Sequence, residues 1–457
     1  MSADPRLRTL AGSVRGRVET DAAARARVAG DGSHLRGAPI ARVVPADADD
    51  VVALVRWARR SRVPLVPRGA GTSLDGESVP ASGSVVVDLG PWDRILDVSG
   101  PGRTARVQPG VVNGRLQEVL APLGLFYPPN PGSWRTSTIG GNVGTNASGP
   151  RSFRYGATRR WVREVEAVLG TGERIRLGSR VEKRSVGPDL LGLLVGSEGT
   201  LGIVTEVTLR LAPLPRIRWG LVVPLPPRPR LGRIAVGLAG ATGCGLSAVE
   251  YLDAYSAAGL ATARGAGWER RGALLLLELE ADTPTDARAR LLRLRSLLRR
   301  VGAPGPIQRF PDADRLWDLR GESGRVMDEV LGARIREDVA VPPQRLDEMV
   351  ASLRRIARRE RVPLHTFAHL GEGSLHPNYV VDPASARAGR IRAALYAAAL
   401  DLGGTISGEH GIGQLKRAYL GGEIGPTGLR LLEAVRAACD PDRILNPGKL
   451  YPPRGSD

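Results

Sequence analysis

"STIGGNVGTNASG" (residues 137–149) holds four glycines in thirteen positions, and only Ile139 and Val143 carry large apolar side chains. Backbone N–H groups can approach a ligand's diphosphate only where no side chain stands in the way, so such a loop reads as a phosphate cradle. Two further loops share the composition: "RGAGTS" (68–73), which ends an apolar run, and "GSEGTLGIV" (196–204), which leads into one. None contains GxxxxGK[ST], and none sets GxGxxG at a strand-to-helix turn, so ATP hydrolysis and a Rossmann-type nicotinamide site lose support. With 58 glycines in 457 residues, one such cluster can come from tight turns alone. Three in one region point to a ligand.

Around these loops the apolar pattern alternates strands and helices. A strand at 40–44 leads to a helix with Asp47 as N-cap and Val51, Val52, Leu54, Val55 and Ala58 on its apolar face. Strands follow at 63–67, 84–89, 94–99 and 104–110, then a helix near 113–123. "REVEAVLGTGERIRLG" (163–178) reads as a hairpin about a Thr-Gly turn, and 201–211 closes the region as a strand. The proline-rich 212–230 marks a boundary. Beyond it, strands are expected near 219–224, 247–252, 273–280 and 337–341, with helices near 231–242, 284–300, 343–360 and 384–401. The expected architecture is α+β: an N-terminal helical arm (1–35), one domain over 36–214 and a second α+β domain over 215–452.

A net charge of +18 raises nucleic-acid binding, but lysine supplies only three of the 65 basic residues, and the 62 arginines are spread among acids instead of forming a tract. Aromatics at 4% weaken a stacking platform. No nucleic-acid partner is expected; the positive field suits small acidic substrates or an acidic partner. No stretch approaches the roughly 18 unbroken apolar residues of a membrane helix, and the N-terminus lacks a signal-peptide core. Cys244 and Cys439 cannot provide a disulfide framework or an iron–sulfur ligand set and fit a reduced cytoplasmic setting as small buried residues. A peripheral contact of the basic surface with the inner face of the membrane stays open.

Three of the five histidines fall in "HTFAHLGEGSLHPN" (365–378), and a fourth follows a glutamate in "SGEHGIG" (407–413). His369 and His376 flank a six-residue loop with two glycines, which lets both rings turn to one point. Glu409 could add a third, hard ligand, giving a His₂Glu set with an open position for a divalent metal. His410 would then stand beside the metal as a base. The alternative is a group of buried histidines satisfied by backbone partners. His365 shares the strand face of His369 and suits a packed core position, and His34 attracts no role.

The order and wording of the glycine loops resemble the vanillyl-alcohol-oxidase, or PCMH-type, FAD-binding domain over about 36–212: "PRGAGTSLDG", "STIGGNVGTNASG", "YG" and "GSEGTLGIVTEVTLRL". "DPDRILNPGKL" (440–450) is similar to the closing motif of the same family, in which the final segment (440–452) returns to the flavin. The resemblance implies that Arg68, Gly69, Ala70, Gly71, Thr72 and Ser73, with Thr138, Gly140, Gly141 and Asn142, embrace the FAD diphosphate. It also implies that Ala147, Gly149, Gly199 and Ile203 lie against flavin and adenosine, with Asn446 near the isoalloxazine. No histidine lies between 35 and 364, so FAD is expected to be noncovalent.

"AHLGEGSLHPN" and "SGEHGIG" resemble the metal and base motifs of the D-2-hydroxyacid dehydrogenases (glycolate oxidase, D-lactate and D-2-hydroxyglutarate dehydrogenases), whose second domain is the FAD-linked oxidase C-terminal domain. The resemblance implies zinc, manganese or iron at His369, His376 and Glu409. It makes His410 the base that removes the hydroxyl proton and puts Asn378 on the substrate. "RLWDLRGESG" (315–324) and "RIREDVAVP" (334–342) resemble carboxylate-binding segments, which points to Arg320 and Arg336. Glu372 and Ser374 replace the usual Asp and Asn of the first loop, and Gly324 stands where a hydroxyl residue is common. The implied activity is oxidation of an (R)-2-hydroxy acid to the 2-oxo acid. Rivals are a transferase of the alkyl-glycerone-phosphate-synthase type and a non-catalytic subunit of a glycolate-oxidase-type complex. The electron acceptor or partner electron-transfer subunit and a homodimer are left open.

Overall fold

In the computed structural model, which describes residues 5–181, 183–268 and 272–452, the first half of the chain builds two principal sheets and the second half one. Asp47 starts the helix Ala48–Ser61 by accepting from the Asp50 amide, and the helix ends where Arg62 turns left-handed. This helix connects the strands Ala41–Val44 and Leu65–Arg68, each of which pairs in parallel with Val85–Asp88. Its Leu54, Val55 and Trp57 bury against Leu65, Val85 and Val87. The second sheet is antiparallel, in the order Ile95–Ser99, Thr104–Val107, Gly202–Arg210, Val162–Leu169, Arg174–Gly178; the last two strands are the hairpin read from the Thr-Gly turn.

The N-terminal stretch is helical, as read, over Pro5–Ser13 and Ala22–Arg27. It does not stand apart as an arm. Leu7, Leu10 and Val14 join the core of the first sheet, and Arg17–Glu19 adds an edge strand beside Ala41–Val44.

The second half forms an eight-stranded antiparallel sheet whose path includes Ile217–Pro224, Leu274–Ala281, Leu246–Leu252, Leu364–His369 and Ser374–Tyr379. The helices Leu231–Ala239, Pro284–Val301, Leu346–Glu360 and Ala386–Asp401 cover one face through Leu238, Leu298, Leu353 and Leu395. Leu260, Leu316, Trp317 and Met327 cover the other from helices the sequence pattern did not single out. The strand expected at 337–341 is split into Ile335–Arg336 and Val339–Ala340, both paired with Ser374–Tyr379 in one register. The break faces Pro377, which has no N–H for a ladder.

Buried charge joins the halves. Glu278, fully buried, accepts from Arg151 at 2.9 Å and Arg218 at 2.6 Å, and from the Trp317 indole. Burial pushes its carboxyl up; Arg151 and Arg218 outweigh that and hold it well below the usual range. Tyr155 donates to Glu280 at 2.6 Å, and Lys416 pairs with Asp75 at 2.9 Å, both wholly or nearly buried in the latter case. The C-terminal segment crosses back: the Leu65 amide donates to the Ile444 carbonyl at 2.8 Å, and the Asn446 amide to that of Leu65 at 2.7 Å. No helix among the described residues is long and apolar enough to cross a membrane.

Candidate active site

Between the halves lies a cavity of about 680 Å³, within the size of ligand sites in general. The loops 68–73 and 138–148 form one wall, and Trp317, Arg320, Arg336, Phe367, Asn378 and the histidines form the other. The glycines are there for space: a Cβ on Gly69 would stand 2.2 Å from the Thr138 hydroxyl oxygen, which itself accepts from the Gly141 amide. Arg68 Nη1 and Asn142 Nδ2 are buried donors without a hydrogen-bond partner on residues of this wall. Such donors suit the oxygens of a diphosphate or the acceptors of a flavin ring.

Most residues named from the sequence meet here. Arg68 to Ser73, Thr138, Gly140, Gly141, Asn142, Ala147 and Gly199 line the cavity with Arg320, Arg336, His369, His376, Asn378, Glu409 and His410. Gly149, Ile203 and Asn446 do not. Gly149 packs against the Asn130 carbonyl, Ile203 faces the core beside Val168, and Asn446 Nδ2 donates to the carbonyls of Glu77 and Glu198 behind the wall.

The histidine loop is a strand–turn–strand. Gly373 adopts φ +80°, and a Cβ there would lie 2.0 Å from the Val341 carbonyl oxygen, so the turn needs glycine. It brings His369 and His376 to a perpendicular pair with centroids 4.9 Å apart. Glu409 completes the group: its Oε1 is 2.8 Å from His369 Nε2 and 3.4 Å from His376 Nε2, and Ser148 donates to its Oε2 at 2.9 Å. Ligand atoms of His369, His376 and Glu409 lie within 4.8 Å of one another. Burial alone would push the His369 imidazole down; between Glu250 and Glu409 it is raised well above its usual value. His376 is pushed well below, by burial first and then by His369. Despite burial, Glu409 is held low by His369 and His376. The pocket among these side chains therefore favours a positive charge, whether a proton or a metal ion.

Two carboxylates that the sequence reading passed over orient this group. Glu250, fully buried on Leu246–Leu252, accepts from His369 Nδ1 and from Arg320 Nε, each at 2.7 Å. Asp338 accepts from the backbone amides of Glu409 and His410 at 2.7 and 2.8 Å, and from Ser374, the residue that departs from the usual Asn. His410 stacks on His376 at 5.2 Å and 18°, and its Nδ1 has no hydrogen-bond partner. Asn378 accepts from Arg334 at Oδ1 and donates to the His376 carbonyl at 2.9 Å. Arg320 stacks over Phe367 at 4.7 Å, and Arg336 reaches Asp328 at 3.4 Å. His365 stacks on Tyr255 outside the cavity.

Comparison with known proteins accords with this arrangement. The profile of the FAD binding domain matches residues 39–178, and that of the C-terminal domain of FAD linked oxidases matches residues 222–450. Glycolate oxidase subunit GlcD of Bacillus subtilis is 34% identical over 433 residues, covering 90% of this chain and 89% of the relative. D-2-hydroxyglutarate dehydrogenase of Stutzerimonas stutzeri is 33% identical over 435 residues, covering 92% of each. A crystal structure of p-cresol methylhydroxylase with substrate bound superposes with a TM-score of 0.81 over 98% of this chain and 96% of that one, at 16% identity.

Proposed function

The chain belongs to the FAD-linked oxidases, and from that premise we propose that it oxidises an (R)-2-hydroxy acid to the 2-oxo acid, with noncovalent FAD and a divalent zinc, manganese or iron ion. The reading rests above all on one observation: the ligand atoms of His369, His376 and Glu409 lie within 4.8 Å of one another on the wall of the glycine-lined cavity. A 2-hydroxy acid must lose a hydroxyl proton and a hydride from one carbon. When bound, the flavin supplies the hydride acceptor and the metal ion a Lewis acid that acidifies the hydroxyl.

The chain's own residues do the rest. His410 would take the hydroxyl proton, its ring set by the stack on His376 and its backbone by Asp338. Arg336 and Arg320 would hold the carboxylate. Each already faces one carboxylate of the chain, Glu250 at 2.7 Å from Arg320 and Asp328 at 3.4 Å from Arg336, so the looser pair leaves Arg336 freer to turn to a substrate carboxylate. Asn378 closes the substrate side, while Trp317 and Phe367 keep that wall apolar. Electrons then pass to an acceptor outside this chain, in line with the B. subtilis relative's being named a subunit. The enzyme would act in the cytoplasm, with or without a peripheral membrane contact.

The test is the anaerobic absorbance of the bound flavin during addition of (R)- and (S)-2-hydroxy acids, with and without a chelator. Bleaching by an (R)-acid that chelation abolishes is the expected result. A flavin that stays oxidised throughout would remove the hydroxy-acid reading.

A further inference from the structure

His34, to which the sequence attaches no role, stands exposed at the mouth of the cavity, across from the second half of the chain. Its Nε2 is 2.7 Å from Arg336 Nη2, and Arg336 Nη2 also donates to the Gly32 carbonyl at 3.0 Å. A guanidinium carries only donors, so Nε2 of His34 accepts and the ring proton sits on Nδ1. On its other side Arg336 Nη1 meets Asp328 at 3.4 Å. The substrate-side arginine is thus gripped from two directions, and one grip comes from residues some 300 positions earlier in the chain.

The loop that presents His34 is built to hold its shape. Asp31 Oδ1 accepts from the Ser33 amide at 3.0 Å and from its hydroxyl, and the His34 amide donates to the Asp31 carbonyl at 3.3 Å. A bridge between Gly30 and Arg36 closes the base. Asp31 Oδ2 accepts from the Ser78 amide and hydroxyl, fixing the loop to the segment after "RGAGTS". Gly32 packs so tightly on the end of "RGAGTS" itself that a Cβ would lie 2.9 Å from the Ser73 carbonyl oxygen. His34 itself takes a left-handed φ of +66°, a conformation kept when surroundings impose it. The loop therefore touches the cofactor wall at its back and the substrate-side arginine at its tip.

We infer that the 30–36 loop is a positioning element for the substrate: through His34 and the Gly32 carbonyl it fixes Arg336 in the orientation that receives a small carboxylate. This rests on the hydroxy-acid reading above, with Arg336 as carboxylate anchor. An unheld arginine must lose side-chain freedom when the carboxylate arrives, whereas one already held loses less. The effect falls on binding instead of on the chemical step.

The experiment uses the holoenzyme of the full chain and oxalate, a carboxylate that carries no oxidisable C–H, titrated by its perturbation of the oxidised flavin spectrum. His34→Ala should weaken oxalate roughly 5- to 10-fold and raise KM for the hydroxy acid in parallel, while kcat at saturation changes far less. His34→Gln, whose side-chain oxygen can accept near the position of Nε2, should recover most of the loss. Asp31→Ala, which frees the whole loop, should lose at least as much as His34→Ala with the flavin retained. Arg336→Met separates the two layers. If Arg336→Met binds oxalate like the wild type, the anchor assignment fails and takes this inference with it. If Arg336→Met loses oxalate while His34→Ala and Asp31→Ala keep it, the positioning role is overturned and the functional reading stands.

Discussion

Glu250→Gln tests how the site is oriented. The carboxylate is fully buried and serves Arg320 and His369 at 2.7 Å each, one oxygen apiece. An amide of the same shape keeps a single acceptor oxygen; its NH₂ group faces a donor and the negative charge is gone. One charge-assisted hydrogen bond is lost, about 1.5–3 kcal/mol. At about 1.4 kcal/mol per decade, the loss is roughly 10- to 100-fold if it falls on the His369 ring, the usual range for residues behind a metal ligand. The assay is competition between chelator-stripped protein and a chromogenic chelator for Zn²⁺ or Mn²⁺, with flavin content checked before and after. Glu250→Gln should bind the ion at least about tenfold more weakly. An affinity within twofold of the wild type would refute both the orienting role of Glu250 and the assignment of His369 as a ligand.

Further outcomes follow from the same geometry. His410→Asn should lower kcat by about 10²–10⁴ while oxalate still perturbs the flavin at near wild-type concentrations; retained turnover would assign the proton to another group. Gly69→Ala sets a methyl group against Thr138, so purified protein should carry less than half the wild-type flavin, read from the ratio of visible to ultraviolet absorbance. For Glu278 the folded-state value is depressed below the ordinary 4.5, so its contribution is complete above that pH and is lost as the pH falls below it. Glu278→Gln leaves Arg151 and Arg218 uncompensated and should cost about 3–5 kcal/mol at neutral pH. The gap in melting temperature from the wild type should narrow between pH 5 and pH 3, and a gap constant over that range would contradict the sign.

Legibility from sequence followed the range of the interaction. The glycine loops, the Asp47 cap, the Thr-Gly hairpin and the strand–turn–strand around His369 and His376 depend on residues within a few positions of one another, and each was readable. Glu409, 33 residues beyond His376, was readable as a candidate from ligand chemistry, and the family resemblance sharpened it. Glu250 was not, since "SAVEYLD" shows only a strand with an acid in it, and nothing local says that strand pairs with His369. Asp338 hid in the same way inside "REDVAVP". Ile203 shows what a motif leaves out: strand alternation turns its side chain to the core beside Val168. His34 acquires meaning only from a partner 302 residues away.

The return of the C-terminal segment has a consequence for how the protein is made. Leu65 bonds on both sides to Ile444 and Asn446, and the Asn446 side chain ties down the carbonyls of Glu77 and Glu198 beneath the cofactor wall. During synthesis at roughly 5–20 residues per second, some 380 residues separate Leu65 from these partners, a delay of about 20 to 75 s. Until then the strand Leu65–Arg68 has an open edge, and Ile444 and Leu445 are missing from its core. The half translated first is therefore completed last, only once residues 444–446 have been made.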